Sequence, residues 1–176
     1  EGNICRFWAY AADITNGKLF CFPNGLSAVG IDPAEYQISR AVRAWVSLPF
    51  YYEPVKLGGA YLVDGGILSN FPIDAFEGDP LPTIGIKLSA EPGAVAKPHA
   101  ITGPVSYGVA VFNTMLSVQD QVHLNNPDWL AKTIFVDTQD VLATDFDLDE
   151  ATQGKLFEAG VAAAKRYIGK RSVSEA

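Results

Sequence analysis

The chain has 176 residues, 48% of them hydrophobic and 19% charged, which is enough apolar material for one folded core and carries no signature of disorder. Its 13 basic side chains against 20 acidic ones leave a formal charge of −7, which repels nucleic-acid phosphates and gains nothing from an anionic membrane surface. Two cysteines, Cys5 and Cys21, are too few for a disulfide scaffold and read as free thiols.

Residue 1 is Glu, the sole methionine is Met115, and no basic stretch followed by an apolar one opens the sequence, so the expectation is a fragment with neither a translation start nor a signal peptide in view. The longest stretch without formal charge, Pro98 to Gln119, contains Gly103, Pro104, Gly108 and Asn113, and reads as a loop followed by a buried helix instead of a membrane span.

The opening reads as a β-hairpin. Phe7 to Ile14 and Leu19 to Phe22 flank Asn16-Gly17, a pair suited to the positive φ angles of a two-residue turn that would set Cys21 opposite Ala12. Asp32-Pro33-Ala34-Glu35 then supplies an N-cap acceptor, a first-turn proline and an acid three residues on, which predicts a helix ending before Pro49. On it Ile38, Ala41, Val42 and Trp45 share a face expected to pack on a sheet, with Arg40 and Arg43 outside that stripe.

Pro54 to Leu57 and Ala60 to Val63 form a second strand pair through Gly58-Gly59, and Thr83 to Leu88 a short strand before a Gly/Pro/Ala-rich loop, Ser89 to Gly103. The helix after it carries two adjacent apolar stripes, Val105, Val109, Phe112 and Leu116 beside Val111, Met115, Val118 and Val122, which predicts a core helix. Lys132 to Val136 is the last strand. A final helix starts near Asp147, with Glu150 at capping-box spacing, and ends in Lys165, Arg166, Lys170 and Arg171, which complement its dipole. Strands alternating with helices predict an α/β layer fold with antiparallel hairpins at its edge.

Several candidate sites fail on their own chemistry. Gly25-Leu26-Ser27-Ala28-Val29 approaches a nucleophile elbow, but Val29 stands where the second glycine must permit the tight strand-to-helix turn. Asp145, Asp147 and Asp149 begin like a calcium loop, yet the sixth position is Glu150 and the twelfth is Leu156, so they read as helix caps. His99 and His123 have no cysteine or acid at metal-ligand spacing and read as surface or structural residues.

What remains is Tyr61-Leu62-Val63-Asp64-Gly65-Gly66, followed by Asn70-Phe71-Pro72. Asp-Gly between apolar runs suits a hairpin turn. A carboxylate at the end of a buried strand, with two glycines that let backbone or substrate approach, equally suits a general base toward a hydroxyl nucleophile.

Asp64-Gly65-Gly66 with Asn70-x-Pro72, and Ala41-Val42-Arg43-Ala44 through Ser47-x-Pro49 upstream, resembles the C-terminal half of a bacterial-type patatin-like phospholipase domain. Ala12 to Gly17 with Leu19 to Phe22 is similar to the family's preceding strand and turn, and Thr133 to Asp137 with Ala143 to Phe146 to its closing segment. The resemblance implies a three-layer α/β/α patatin-like fold, incomplete here, with residues 1–176 as the C-terminal portion of a single domain. It also implies a lipid acyl hydrolase with a serine–aspartate dyad, in which the aspartate takes the serine proton without a histidine and a glycine-rich loop forms the oxyanion hole.

Asp64 matches that proton acceptor, within the motif Asp64, Gly65 and Gly66. No serine here has elbow spacing, and neither Gly58-Gly59 nor Gly65-Gly66 extends to the oxyanion pattern, so nucleophile and oxyanion hole are expected upstream or on another chain and this chain alone is expected to be inactive. No cofactor or metal is implied. The expected partners are a lipid or acyl-ester substrate and the N-terminal half of the domain; localisation stays open, with the cytoplasm favoured and peripheral membrane contact compatible with it. Trp45, Phe50, Tyr51 and Tyr52 are expected mostly as core, with an acyl-chain channel as their other use. The alternative to an enzyme is a binding or regulatory module whose Asp-Gly-Gly only shapes a turn.

Overall fold

The computed structural model describes residues 7–78, 80–88, 101–138, 141 and 145–174. The chain divides into two compact units, residues 1–72 with 98–122 and residues 73–97 with 123–176.

The first unit is built on a four-stranded antiparallel sheet of β1 (Ala9–Asp13), β2 (Lys18–Phe22), β3 (Val55–Leu57) and β4 (Ala60–Asp64), in the order β2-β1-β4-β3. The β3–β4 hairpin closes through Gly58 and Gly59 at φ 54° and 85°, which is why two glycines stand there, and Leu57 pairs with Ala60.

The first hairpin differs from the sequence expectation. Tyr10, not Ala12, faces Cys21, and the loop runs from Ile14 to Gly17. Asp13 explains the shift. Its Oδ1 accepts from the N–H groups of Thr15 and Asn16 at 3.0 Å, its Oδ2 from the Asn16 amide at 2.7 Å, and its carbonyl from Gly17 N–H at 2.9 Å. The aspartate thus organises a longer loop that outcompetes the two-residue turn.

Burial raises the Asp13 pKa, but the bonds from Asn16 and Thr15, with Lys18 nearby, outweigh it and hold the carboxyl below its ordinary value. Asp13 therefore contributes stability above the ordinary carboxylate range, and that contribution is lost as pH falls through the depressed value. Asp13→Ala should cost about 1–2 kcal/mol at neutral pH in chemical denaturation, with the difference from the parent shrinking in acid.

Helix α1 (Ile38–Trp45) is shorter than predicted. The Asp32 carboxylate accepts from Ala34 N–H at 2.9 Å, so the capping motif makes an isolated turn, and extended Gln37 precedes the helix. The buried face is also different: Ala41, Ala44 and, just beyond the helix, Ser47 are 3%, 0% and 0% exposed, whereas Ile38 and Trp45 lie largely in solvent. Small side chains allow the close helix-to-sheet approach, and Ala41 and Ala44 join Ala9, Ala11, Phe20, Phe22 and Leu62 in one core cluster. Within it the Phe20 and Phe22 rings lie 4.9 Å apart and Phe22 stacks on Tyr36.

Over residues 104–115 of helix α2 (Pro104–Leu124) the stripes do not pack as core, and the side chains of Leu116, Val118 and Val122 lie outside the described ones. Phe112 is buried, but Val105, Val111 and Met115 are exposed. Trp45, Phe50, Tyr51 and Tyr52 are likewise exposed and not core. Phe50 holds a φ of 71°, and its ring sits where a Cβ on Gly108 would come within 2.7 Å, so the glycine makes room for the aromatic edge.

In the second unit β5 (Gly85–Leu88) and β6 (Thr133–Val136) form a two-stranded parallel pair, and α4 (Glu150–Ser174) packs on β6. Asp149 caps α4 through Thr152 N–H at 2.7 Å, two residues later than the predicted start. The sequence reading missed α3 (Pro127–Ala131), although its signal is present: Asn126 accepts from Asp128 and Trp129 N–H groups and Pro127 occupies the first turn. In β5 the buried side chain is Lys87, while Ile86 and Leu88 are exposed. Cys21 is a free, half-buried thiol. Cys5, His99, Ala143, Thr144 and most of the Ser89–Gly103 loop lie outside the described residues, as does the side chain of His123. No described helix is long and apolar enough to cross a membrane.

Candidate active site

The last residue of β4 is Asp64, on a central strand. Pairing with β1 runs up to it, Ala11 facing Asp64, whereas pairing with β3 stops at Leu62. Asp64 N–H instead donates to the Ser47 carbonyl at 2.9 Å. Leu62 and Val63 before it are fully buried, so the strand delivers the carboxylate from the core to a half-buried position at the sheet's end.

Beyond it the chain turns at once into a 3-10 segment, Gly65–Ile67. Asp64 Oδ1 accepts the Gly66 N–H at 2.7 Å, and Gly65 C=O accepts from Leu68 at 3.0 Å and Ser69 at 2.9 Å. The other carboxylate oxygen has no hydrogen-bond partner among the described residues. Burial raises the Asp64 pKa, and the Gly66 N–H only partly offsets it. The result is a more basic carboxylate than an exposed aspartate, with one oxygen steered by backbone and one able to accept a proton.

Both glycines are buried, and neither needs a positive φ. The constraint lies at Gly65 and comes from the neighbouring strand: a Cβ there would sit 2.3 Å from the Tyr10 carbonyl oxygen. The Asp64 turn is pressed against β1, and only a residue without a side chain fits.

Ser27 opens an exposed 3-10 turn, Ser27–Val29, well short of a strand-to-helix elbow. Among the described residues no three His, Cys, Asp or Glu side chains gather as a metal site. A cleft of about 630 Å³ in the second unit, lined by Phe76, Leu81, Trp129, Lys132 and Tyr167 among others, contains none of the sequence-predicted site residues.

Residues 15–77 match the patatin-like phospholipase family. The patatin-like stretch covers less than half of the chain and part of the family domain, and it contains α1, β3, β4 and Asp64-Gly65-Gly66. The chain is also 36% identical over 155 residues to YqhO, an uncharacterized protein of Bacillus subtilis (strain 168), covering 85% of this chain and 53% of that one. It is 30% identical over 138 residues to an uncharacterized protein of Acanthamoeba polyphaga mimivirus, covering 76% of this chain and 46% of that one. The chain therefore spans about half the length of these two relatives.

Proposed function

We propose that the chain is the C-terminal part of a patatin-like lipid acyl hydrolase in which Asp64 is the general base of a serine–aspartate dyad. The observation that carries this reading is the Asp64 carboxylate itself, half-buried at the end of a central strand with one oxygen on Gly66 N–H and the other unpartnered among the described residues. The serine and the oxyanion donors come from a segment not included here. In acyl transfer the serine Oγ attacks the ester carbonyl while Asp64 takes its proton; the tetrahedral intermediate collapses, the protonated aspartate supplies the leaving alcohol with its proton, and water repeats the sequence on the acyl-enzyme.

An incomplete three-layer fold accounts for the exposed surfaces of each unit. In the first unit Ile38 and Trp45 of α1 face solvent, and in the second the exposed Ile86 and Leu88 belong to a parallel pair, a kind of sheet normally covered on both faces.

Residues 1–176 alone should not be labelled by a fluorophosphonate, since no serine in them has elbow spacing, and supplying the N-terminal half as a fusion or separate polypeptide should restore labelling and lipid-ester hydrolysis together. Stoichiometric labelling of the 176-residue chain, at Ser27 above all, would show the nucleophile to be misplaced. A completed protein that neither labels nor hydrolyses would instead be a binding module.

A further inference from the structure

The strand pairing leaves one gap beside the candidate base. β3 stops opposite Leu62, two residues short of Asp64, so on that side no strand among the described residues holds the end of β4. The Asp64 N–H is taken up by the Ser47 carbonyl, and Ser47 is fully buried.

Ser47 is itself held at both ends of its hydroxyl. Its Oγ donates to the Arg43 carbonyl at 2.5 Å and accepts from Arg43 Nη1. The hydroxyl has one proton and its lone pairs to offer, so these two bonds fix its direction. The same guanidinium donates from Nη2 to the Glu53 carbonyl at 3.1 Å, and its central carbon stands 5.5 Å from the Tyr52 ring centre. A planar fork presents its donors and its stacking face in one fixed geometry, whereas an ammonium on a flexible stem is a compact point donor without that fork.

We infer that Arg43 and Ser47 are positioning residues for Asp64: the guanidinium–hydroxyl clamp takes the place of the absent strand partner and fixes where the carboxylate points. The inference rests on the reading of Asp64 as the base. Ser47 reaches Asp64 through its carbonyl, and Arg43 reaches it through Ser47.

The test uses Arg43→Lys and Ser47→Ala. In the 176-residue chain, the Asp64 side-chain carbon is titrated by 13C NMR and the exchange of its amide proton is followed. Both variants should move the titration midpoint by about 0.5 pH unit or more, and should speed exchange of that amide by about tenfold or more relative to amides of β2. In the protein completed by its N-terminal half, kcat for ester hydrolysis should fall about 10- to 100-fold for Arg43→Lys and less for Ser47→Ala, with KM within about twofold of the parent.

If Arg43→Lys fails to fold, Ser47→Ala, which keeps the Ser47 carbonyl, carries the same readouts. Folded variants in which Asp64 titrates and exchanges as in the parent would overturn the clamp. Should Asp64→Asn hydrolyse normally while the titration still moves in the clamp variants, the base assignment falls and the clamp stands.

Discussion

Asp64→Asn is expected to lower ester hydrolysis by about three orders of magnitude or more in the protein completed by its N-terminal half, with little change in KM. The amide keeps an oxygen for the Gly66 N–H, so the turn has what it needs to form, but it cannot take up a proton from a serine hydroxyl. The same substitution should not cost stability at neutral pH. A carboxyl whose pKa is raised by burial binds its proton more tightly folded than unfolded, so its contribution is most favourable in acid and declines as pH rises through the raised value. Asn removes that penalty. The variant should melt at or above the parent at pH 7, and its advantage should vanish as the buffer is taken below the ordinary carboxylate range. A variant with near-parental turnover would remove Asp64 from the mechanism; one that melts far below the parent would make Asp64 a structural acid.

The second large effect is expected at Gly65. A methyl group there would meet the Tyr10 carbonyl oxygen at 2.3 Å and its carbon at 2.7 Å, and both are backbone atoms of a central strand that cannot swing aside as a flexible side chain can. Gly65→Ala should therefore cost about 3 kcal/mol, near the upper end for overpacking, and lower the melting temperature of a chain of this size by about 6–12 °C. Hydrolysis in the completed protein should fall with stability, because relief of the clash moves the peptide that joins Gly65 to Asp64. An alanine variant that melts with the parent would mean that β1 and the turn separate easily. The sequence alone puts the demand on the glycine pair as a place where backbone or substrate can approach; the structure puts it at Gly65, where the approaching backbone is the Tyr10 carbonyl.

These two positions show how far the sequence carries. Asp64 is placed by local pattern, since the apolar run Tyr61 to Val63 predicts a strand and Gly65-Gly66 predicts that it ends there, and both hold. The Gly58-Gly59 turn is legible for the same reason, because its geometry is a property of the two residues within it. What the sequence hides is decided by distant partners. Tyr10 constrains Gly65 from another strand, and the Asp13 side chain lengthens a loop whose Asn-Gly pair announces a shorter one. Helix α1 misleads differently. Its bulky apolar residues suggest the packed face, but it approaches the sheet through Ala41 and Ala44, which a hydrophobicity pattern ranks below Ile38 and Trp45. Arg43 and Ser47 are visible only as parts of a family-like motif, since, although their mutual bonds are local, the bond from Asp64 N–H to the Ser47 carbonyl depends on the way α1 meets β4.

The strand order β2-β1-β4-β3 has a consequence for how the candidate base comes into being. Each hairpin closes on itself through a short turn, but the seam between β1 and β4 joins residues as far apart in the chain as Ala11 and Asp64, with α1 looped out between them. Closing that seam spans a longer loop than either hairpin turn, so it is expected to cost more loop entropy and to follow the hairpins in assembly. Asp64 stands on the seam, and the carboxylate acquires its surroundings only when both hairpins already exist. Damage to the Asp13 loop or to the Gly58-Gly59 turn is therefore felt at Asp64 without any contact to it, as a smaller fraction of molecules in which the seam is shut.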